Sequence, residues 1–562
     1  MASTRKIQIL VLVMRPIGVP SLLLGLLVGC CFVGVRNINP LNYSWLLSGN
    51  DATSHQLSFE FFRSAPLIQW PLTSTPGLIS GSGQVLASAN GLFGFPAKII
   101  GQVIDQRFQF YGLWICLLFA LQGFFAERLI AQFVPHRLYA IAGSVFFLLA
   151  PAFIFRIGLS HYELAAHFLI LWCLQLIAAE KRDARPWVIL LSTVMLVSIY
   201  IWVMLMALFV VHLMSNISRI QNRKQAWILS GQLLTPSISS LAAFVFMGYG
   251  SYSGRAEGSG VFRANLLTFV NPMFESGRSL SPQLSAISPL GTRNLTSQEV
   301  EGFNFLGIGP IALLLVLFLA LIFRRQMFRT FNPLVMLCAC LLFGYSLSNN
   351  IVIARREISV WWPGTLQSIL DVFRSAARFS WPLYYILIVA AIVGCYKLLP
   401  RRLFVTVFFL SWCLAIVDAR HVFTQAHQET FAQSTPHAVF VDPKWKSITK
   451  NRTSFELVPT FDLLSDGLNG DFDRFRTLWD EIENFSITNQ LETNFGFVPR
   501  SVETYVKDRN SQNESELRSG RLDRKKIYVI LDKTKWETYR DGLGSRATSL
   551  SIDGFNVIVS NP

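Results

Sequence analysis

Charge is scarce in this chain. Only 15% of its 562 residues are Asp, Glu, Lys or Arg, whereas 52% are hydrophobic. That balance excludes a single soluble globule and a disordered chain alike, because both need far more polar surface. Cysteine is present but carries no framework. All eight (Cys30, Cys31, Cys116, Cys173, Cys338, Cys340, Cys395 and Cys413) fall in apolar runs, none at a disulfide or metal-ligand spacing. They read as small apolar helix residues. Also missing are a Walker loop, a GxGxxG after a strand and a GxSxG elbow. P-loop nucleotide chemistry, dinucleotide redox chemistry and serine hydrolysis therefore lack their usual carriers. The two halves share no internal repeat of the transporter kind.

What is present is a series of apolar runs, from residue 17 to residue 417, long enough to cross a bilayer. Between them lie short basic segments at 1–16, 127–137, 180–186, 215–225, 324–330 and 397–402. These hold 17 Lys/Arg and 3 acids. Such an excess in short loops is the positive-inside signature. The net charge of +15 thus reports topology and implies no nucleic-acid partner, since residues beyond 418 carry 19 Lys/Arg against 20 acids.

Fixing the basic segments in the cytoplasm predicts about eleven transmembrane helices, with the N-terminus inside. The first, 17–35, reads as an anchor because no small-residue cleavage site follows it. Others are predicted over 108–126, 138–155, 163–179, 226–247, 304–323, 331–347, 381–399 and 402–417. The run 187–214 is flanked by basic segments on both sides. A hairpin of two short helices turning near Tyr200-Ile201-Trp202 is therefore expected, the alternative being one tilted helix that would invert the topology downstream. Residues 85–104, broken by Gly91, Gly94, Pro96 and Lys98, suit a re-entrant or interfacial segment. The transmembrane domain is thus 1–418, with external loops 36–107, 156–162, 248–303 and 348–380. Residues 419–562 read as a soluble external α/β domain. "TSFELVP", "KKIYVILDK" and "FNVIVS" look like strands, and "FDRFRTLWDEIENF" has a helical period.

Three polar clusters are predicted on the external face. In "GNDATSHQLSFEFF", Asp51 opens a short helix with His55 on the same side. Asp51 is either a helix cap or a carboxylate placed to take a proton or bind a metal, and one residue can do both. In "RIGLSHYELAAHF", Arg156, His161, Glu163 and His167 stand at the mouth of two spans, with Glu163 and His167 four apart on one helical face. Ionisable groups at that depth are costly and usually functional, although an anchoring ion pair is the simpler alternative. In "DVFRSAARFSWPLYY", Arg374 and Arg378 are four apart on one helical face, and paired guanidiniums suit bidentate phosphate binding or simple head-group anchoring.

With these motifs, and with "EGFNFLGIGPIALLL" and "SGRLDRKKIYVILD", the chain resembles the GT-C class of membrane glycosyltransferases, most closely a bacterial branch of that class. The resemblance implies a polytopic α-helical GT-C-like fold in the bacterial inner membrane, with the C-terminal domain in the periplasm. It implies transfer of a sugar, with inversion, from a polyprenyl-phosphate-linked donor to an envelope glycan or lipid acceptor. Asp51, with His55 beside it, and Glu163 would be the catalytic residues. Asp51 and Glu163 would also hold any divalent metal (Mg or Mn). Arg374, Arg378, Arg156, His161 and His167 would meet the substrate. The chain departs from the class in having no DxD in its first loop and no WWD motif. A transporter or flippase of lipid-linked glycans, and a non-catalytic envelope-assembly protein, stay open as alternatives.

Overall fold

The computed structural model describes residues 18–47, 51–75, 77–78, 90–181, 183–215, 217, 221–249, 260, 262–275, 278–279, 301–324, 330–353, 356–364, 371–431, 439–459, 472–496 and 503–561. The chain divides into two compact units: residues 1–39, 111–241 and 257–430, and residues 40–110, 242–256 and 431–562.

The first unit is helical. Among the described residues, four helices are long and apolar enough to cross a membrane: Tyr111–Ile130, Arg223–Met247, Ala376–Leu398 and Arg401–Thr430. A fifth candidate is the pair Arg137–Leu148 and Pro151–Gly158, bent by 40°. The bend has a local cause. Pro151 occupies the first turn of the second helix, and Ala150 before it is extended, as a residue preceding proline prefers.

Among the described residues, four or five candidate spans are shown, not the expected eleven. The other runs form helices of 11 to 17 residues, namely Val19–Val33, Phe168–Ala178, Ala184–Val197, Ile199–Met214, Ile308–Arg324 and Pro333–Ser346. At 1.5 Å per residue these fall short of a hydrocarbon core about 30 Å thick. Hydropathy sums apolar residues without regard to where a helix starts and stops.

The run 187–214 does fold as a hairpin. Its two helices meet at Ser198, which is extended (φ −156°, ψ 118°), two residues before the expected turn. Trp187 near the start of the first helix lies 4.7 Å from Phe209 and 5.7 Å from His212 near the end of the second, ring centre to ring centre. The Trp187 indole N–H also donates to the Lys181 carbonyl at 3.0 Å.

Glycine sets the closest helix contact. Val19–Val33 packs along Tyr111–Ile130 through Gly25 and Gly29, a small-xxx-small seam. A Cβ at Gly25 would collide with the Phe119 carbonyl, and one at Gly29 would come within 2.9 Å of the Cys116 Cα.

The second unit contains a five-stranded mixed sheet in the order 492–493, 454–458, 526–530, 555–560, 547–552. The first three strands are parallel and the last two join antiparallel. The turn Asp553-Gly554, with φ 47° and 81°, closes the final hairpin, as Asp-Gly favours. Alternation sorts the sheet's two faces. Phe455, Leu457, Ile527, Val529, Val557 and Val559 pack with Trp445, Trp479 and Ile482, while Tyr528, Ile530 and Ile558 pack with Leu517, Trp536 and Tyr539.

Residues 40–110 are built into this unit. Helix Asp51–Ser64 lies against helix Phe472–Thr488. Leu78 forms a parallel bridge to Thr493, whose N–H donates to the Gly77 carbonyl at 2.9 Å. Arg107 donates to the Asn484 side chain at 2.7 Å and to the Thr488 hydroxyl at 2.8 Å.

The glycine seam is testable against an open site. Gly25→Leu is expected to lower stability by about 1–3 kcal/mol, the usual cost of overpacking. Gly231→Ala, where nothing lies within 4 Å of the added carbon, should be neutral or slightly stabilising. Thermal unfolding of the purified full chain in detergent compares the two.

Candidate functional site

Arg156 ends the short helix Pro151–Gly158 and is completely buried. An isolated buried guanidinium is strongly unfavourable, so its partners define the site. Its Nη1 donates to Glu301 Oε2 at 2.7 Å, and its Nη2 donates to the Glu301 main-chain carbonyl. Arg378 grips the same carboxylate with both arms of its fork, Nε to Oε2 at 3.0 Å and Nη2 to Oε1 at 2.9 Å. His161 Nδ1 stands 3.3 Å from Arg156 Nη1 and 3.8 Å from Glu301 Oε1. Aromatic faces hold the two cations. Arg378 lies 4.5 Å from the centre of Tyr200, and Arg156 lies 5.5 Å from that of Trp381.

Two arginines share one carboxylate, so the cluster carries an excess positive charge. Burial on its own would raise the Glu301 carboxyl, but the Arg378 and Arg156 guanidiniums outweigh it and hold the group well below the usual carboxylate range. Arg378, His161 and Glu301 each keep 11 to 17% of their side-chain surface exposed, whereas Arg156 keeps none. The cluster is thus a buried cation capped by groups that solvent can reach. Such an arrangement can receive an anion or fix three chain segments together.

Three of the residues predicted from sequence therefore meet here: Arg156, His161 and Arg378. Arg374 does not join them in these ion pairs. The helix expected to carry it with Arg378 is interrupted, with 3-10 turns at Asp371–Phe373 and Ala376–Ser380. Arg374 instead lies 5.5 Å from the centre of the Phe262 ring.

His167 is buried but belongs to another network. Its Nδ1 pairs with the Tyr385 hydroxyl at 2.7 Å, Gln122 donates to that hydroxyl at 3.1 Å, and Trp381 packs on the imidazole at 4.3 Å. Glu163 and His167 were expected on one helical face. The helix starts only at Phe168, after a turn in which Ser160 is left-handed (φ 61°), so a spacing of four places no shared face there. Glu163 sits half-buried in that turn.

Asp51 and His55 lie in the second unit. Asp51 is the first residue of helix Asp51–Ser64, as predicted, and both side chains are half-buried. Asn50, just before it, where a cap would stand, lies outside the described residues. Among the described residues, no three His, Cys, Asp or Glu side chains gather as a metal centre would require.

Glu301 was not singled out by sequence. It stands at the head of "EGFNFLGIGPIALLL", an acid immediately before a long apolar run, and that position was the available signal.

Two family models match the chain: the domain of unknown function DUF6311 over residues 22–420, and the DUF6311 C-terminal domain over residues 444–560. The chain belongs to the DUF6311 family. No curated protein matches it. In this DUF6311 chain the first match takes in Arg156, Glu301 and Arg378, and the second takes in the mixed sheet.

Removing Glu301 should be severe. Glu301→Ala leaves Arg156 buried without its counter-charge and is expected to cost about 3–5 kcal/mol, read by thermal unfolding in detergent. The pH dependence has a definite sign. A carboxyl depressed in the folded state stabilises fully above its unfolded value, about 4.3, and loses that contribution as pH falls through the lower folded value. The wild type should therefore lose stability below about pH 4.3 over a limb that Glu301→Gln lacks.

Proposed function

We propose that this chain is an integral membrane glycosyltransferase of GT-C type. It takes a sugar from a polyprenyl-phosphate-linked donor and places it on an envelope glycan or lipid at the periplasmic face of the bacterial inner membrane. The observation that carries this reading is the Arg156–Glu301–Arg378 cluster. It provides two guanidiniums and one carboxylate, one of the cations wholly buried, at the ends of long apolar helices. A surplus of fixed positive charge in a water-poor setting is suited to meeting a phosphate. The basic short segments support a cytoplasmic N-terminus, and in this reading the cluster faces the external side.

In this reading the acceptor oxygen forms a bond to the anomeric carbon while the bond from that carbon to the phosphate oxygen breaks. Asp51 takes the acceptor proton, and the lipid phosphate leaves with the electron pair. Its developing charge is met by Arg378 and Arg156, with His161 beside them. The phosphate competes with the Glu301 carboxylate for the Arg378 fork, so Glu301 sets how readily the donor enters. In this reading Glu163 and His55 are catalytic beside Asp51, Arg374 helps bind substrate, and any divalent ion would sit at Asp51 or Glu163, whereas the wholly buried His167, engaged by Tyr385, takes no part.

Asp51→Asn is expected to lower transfer about 10²–10⁴-fold, the usual contribution of a positioned base. In cells the modified surface glycan should disappear while the protein still inserts and accumulates. Lipid-linked donor should then build up in the outer leaflet. Surface glycan that stays unchanged would remove the base from the mechanism. Donor trapped in the inner leaflet would identify a flippase instead.

A further inference from the structure

A cavity of about 840 Å³ opens within the second unit, between residues 43–107 and residues 487–492. Its size falls in the range of sites that hold small organic ligands, far beyond what a few ordered waters need.

Part of its wall is locked. Glu60 is buried and accepts from Arg63 Nη2 at 3.0 Å and from Gln56 at 2.9 Å. Arg63 also donates to the carbonyls of Ile104 and Gln106, at 2.8 and 3.1 Å. The Arg107 guanidinium is tied to Asn484 and Thr488. These bonds hold both arginines to the protein and fix the strand of chain that lines the opening.

Among the described residues, the side chains of Tyr43, Asp105, Gln490 and Glu492 make no hydrogen bond, and all four line the cavity. Phe61 adds an aromatic ring to the wall. Gly77 lets it come close, since a Cβ there would sit 3.2 Å from that ring.

This combination selects a class of ligand. The lining holds three carboxylates, Glu60, Asp105 and Glu492, against two guanidiniums, Arg63 and Arg107, so phosphates and other anions are disfavoured. No three acidic, His or Cys side chains converge among the described residues, so the carboxylates are dispersed around the wall and form no cation centre. Scattered acceptors, an amide, a phenol and an aromatic face match a neutral molecule with many hydroxyls and an apolar C–H face.

We infer that this cavity binds a neutral oligosaccharide, the acceptor glycan of the proposed transfer. The identity of the glycan as acceptor rests on that proposal, whereas its binding does not. Tyr43 and Phe61 offer aromatic surface, and Asp105, Gln490 and Glu492 take up hydroxyls.

The full chain, reconstituted in nanodiscs and fluorescently labelled, can be screened on an array of neutral, carboxylated, sulfated and phosphorylated oligosaccharides, with a lysine-rich peptide as a further probe. Neutral members should be retained. Asp105→Asn and Glu492→Gln should each weaken retention at least tenfold without shifting the unfolding temperature, and Gly231→Ala, where nothing lies within 4 Å of the added carbon, should leave it unchanged. Retention of no neutral glycan, equal retention by both variants, or preference for anionic glycans or the basic peptide would overturn the assignment. Neutral-glycan binding lost in Glu492→Gln upholds the site even where Asp51→Asn leaves cell-surface glycan intact and the transfer reading fails. Loss of surface glycan in Asp51→Asn with no glycan retained on the array overturns the site alone.

Discussion

A guanidinium with no solvent exposure cannot stand alone in an apolar helical body, and Arg156 is such a group. Its need for a counter-charge brings Glu301 to it from 145 residues away, and the same carboxylate then accepts Arg378 from 77 residues away. Three distant stretches are therefore fastened at one point by directed, charge-assisted bonds. Apolar packing cannot do this, because contacts among Leu, Ile and Phe tolerate sliding and bidentate geometry does not. The remaining helices of the first unit can use non-directional packing because the register of these three segments is already set.

The same division of labour appears in the second unit. Helix Glu503–Ser519 is almost entirely polar, so periodicity offered no reason to expect it. It is held to the sheet by ion pairs instead. Arg509 and Asn513 bind the buried Glu456 at 2.5 and 2.8 Å, and Glu516 receives Lys526 at 2.8 Å. Asp442 and Val441 are fastened in a similar way, their amides donating to the Asp553 carboxylate of the final turn.

What could be read from the sequence follows from range. The strands at 454–458, 526–530 and 555–560 and the helix from Phe472 were legible because their signals are local: β-branched runs, a Gly turn, an apolar period. The hairpin at Ser198 was legible from the basic residues on both of its flanks. Asp51 opening a helix was legible from residue type. The pairing of Arg156 with Glu301 was not, because no local rule links residues so far apart. Inferences from a spacing of four were limited by their premise. Glu163 precedes the helix that holds the residues after His167, and Arg374 falls in the break between two 3-10 turns, only the second of which holds its expected partner Arg378. The short strand 492–493 has too few residues to show alternation, yet it is the edge to which the segment around Leu78 attaches.

The bonds from Arg107 to Asn484 and Thr488 span 377 and 381 residues of sequence. Proteins are synthesised at roughly 5–20 residues per second, so Arg107 waits on the order of 20–75 s for these partners. During that interval residues 40–110 lack the sheet edge and the helix that complete their unit. Completion of this unit therefore waits on the synthesis of residues 484–488, and a chain cut short before residue 484 lacks the partners that fasten Arg107.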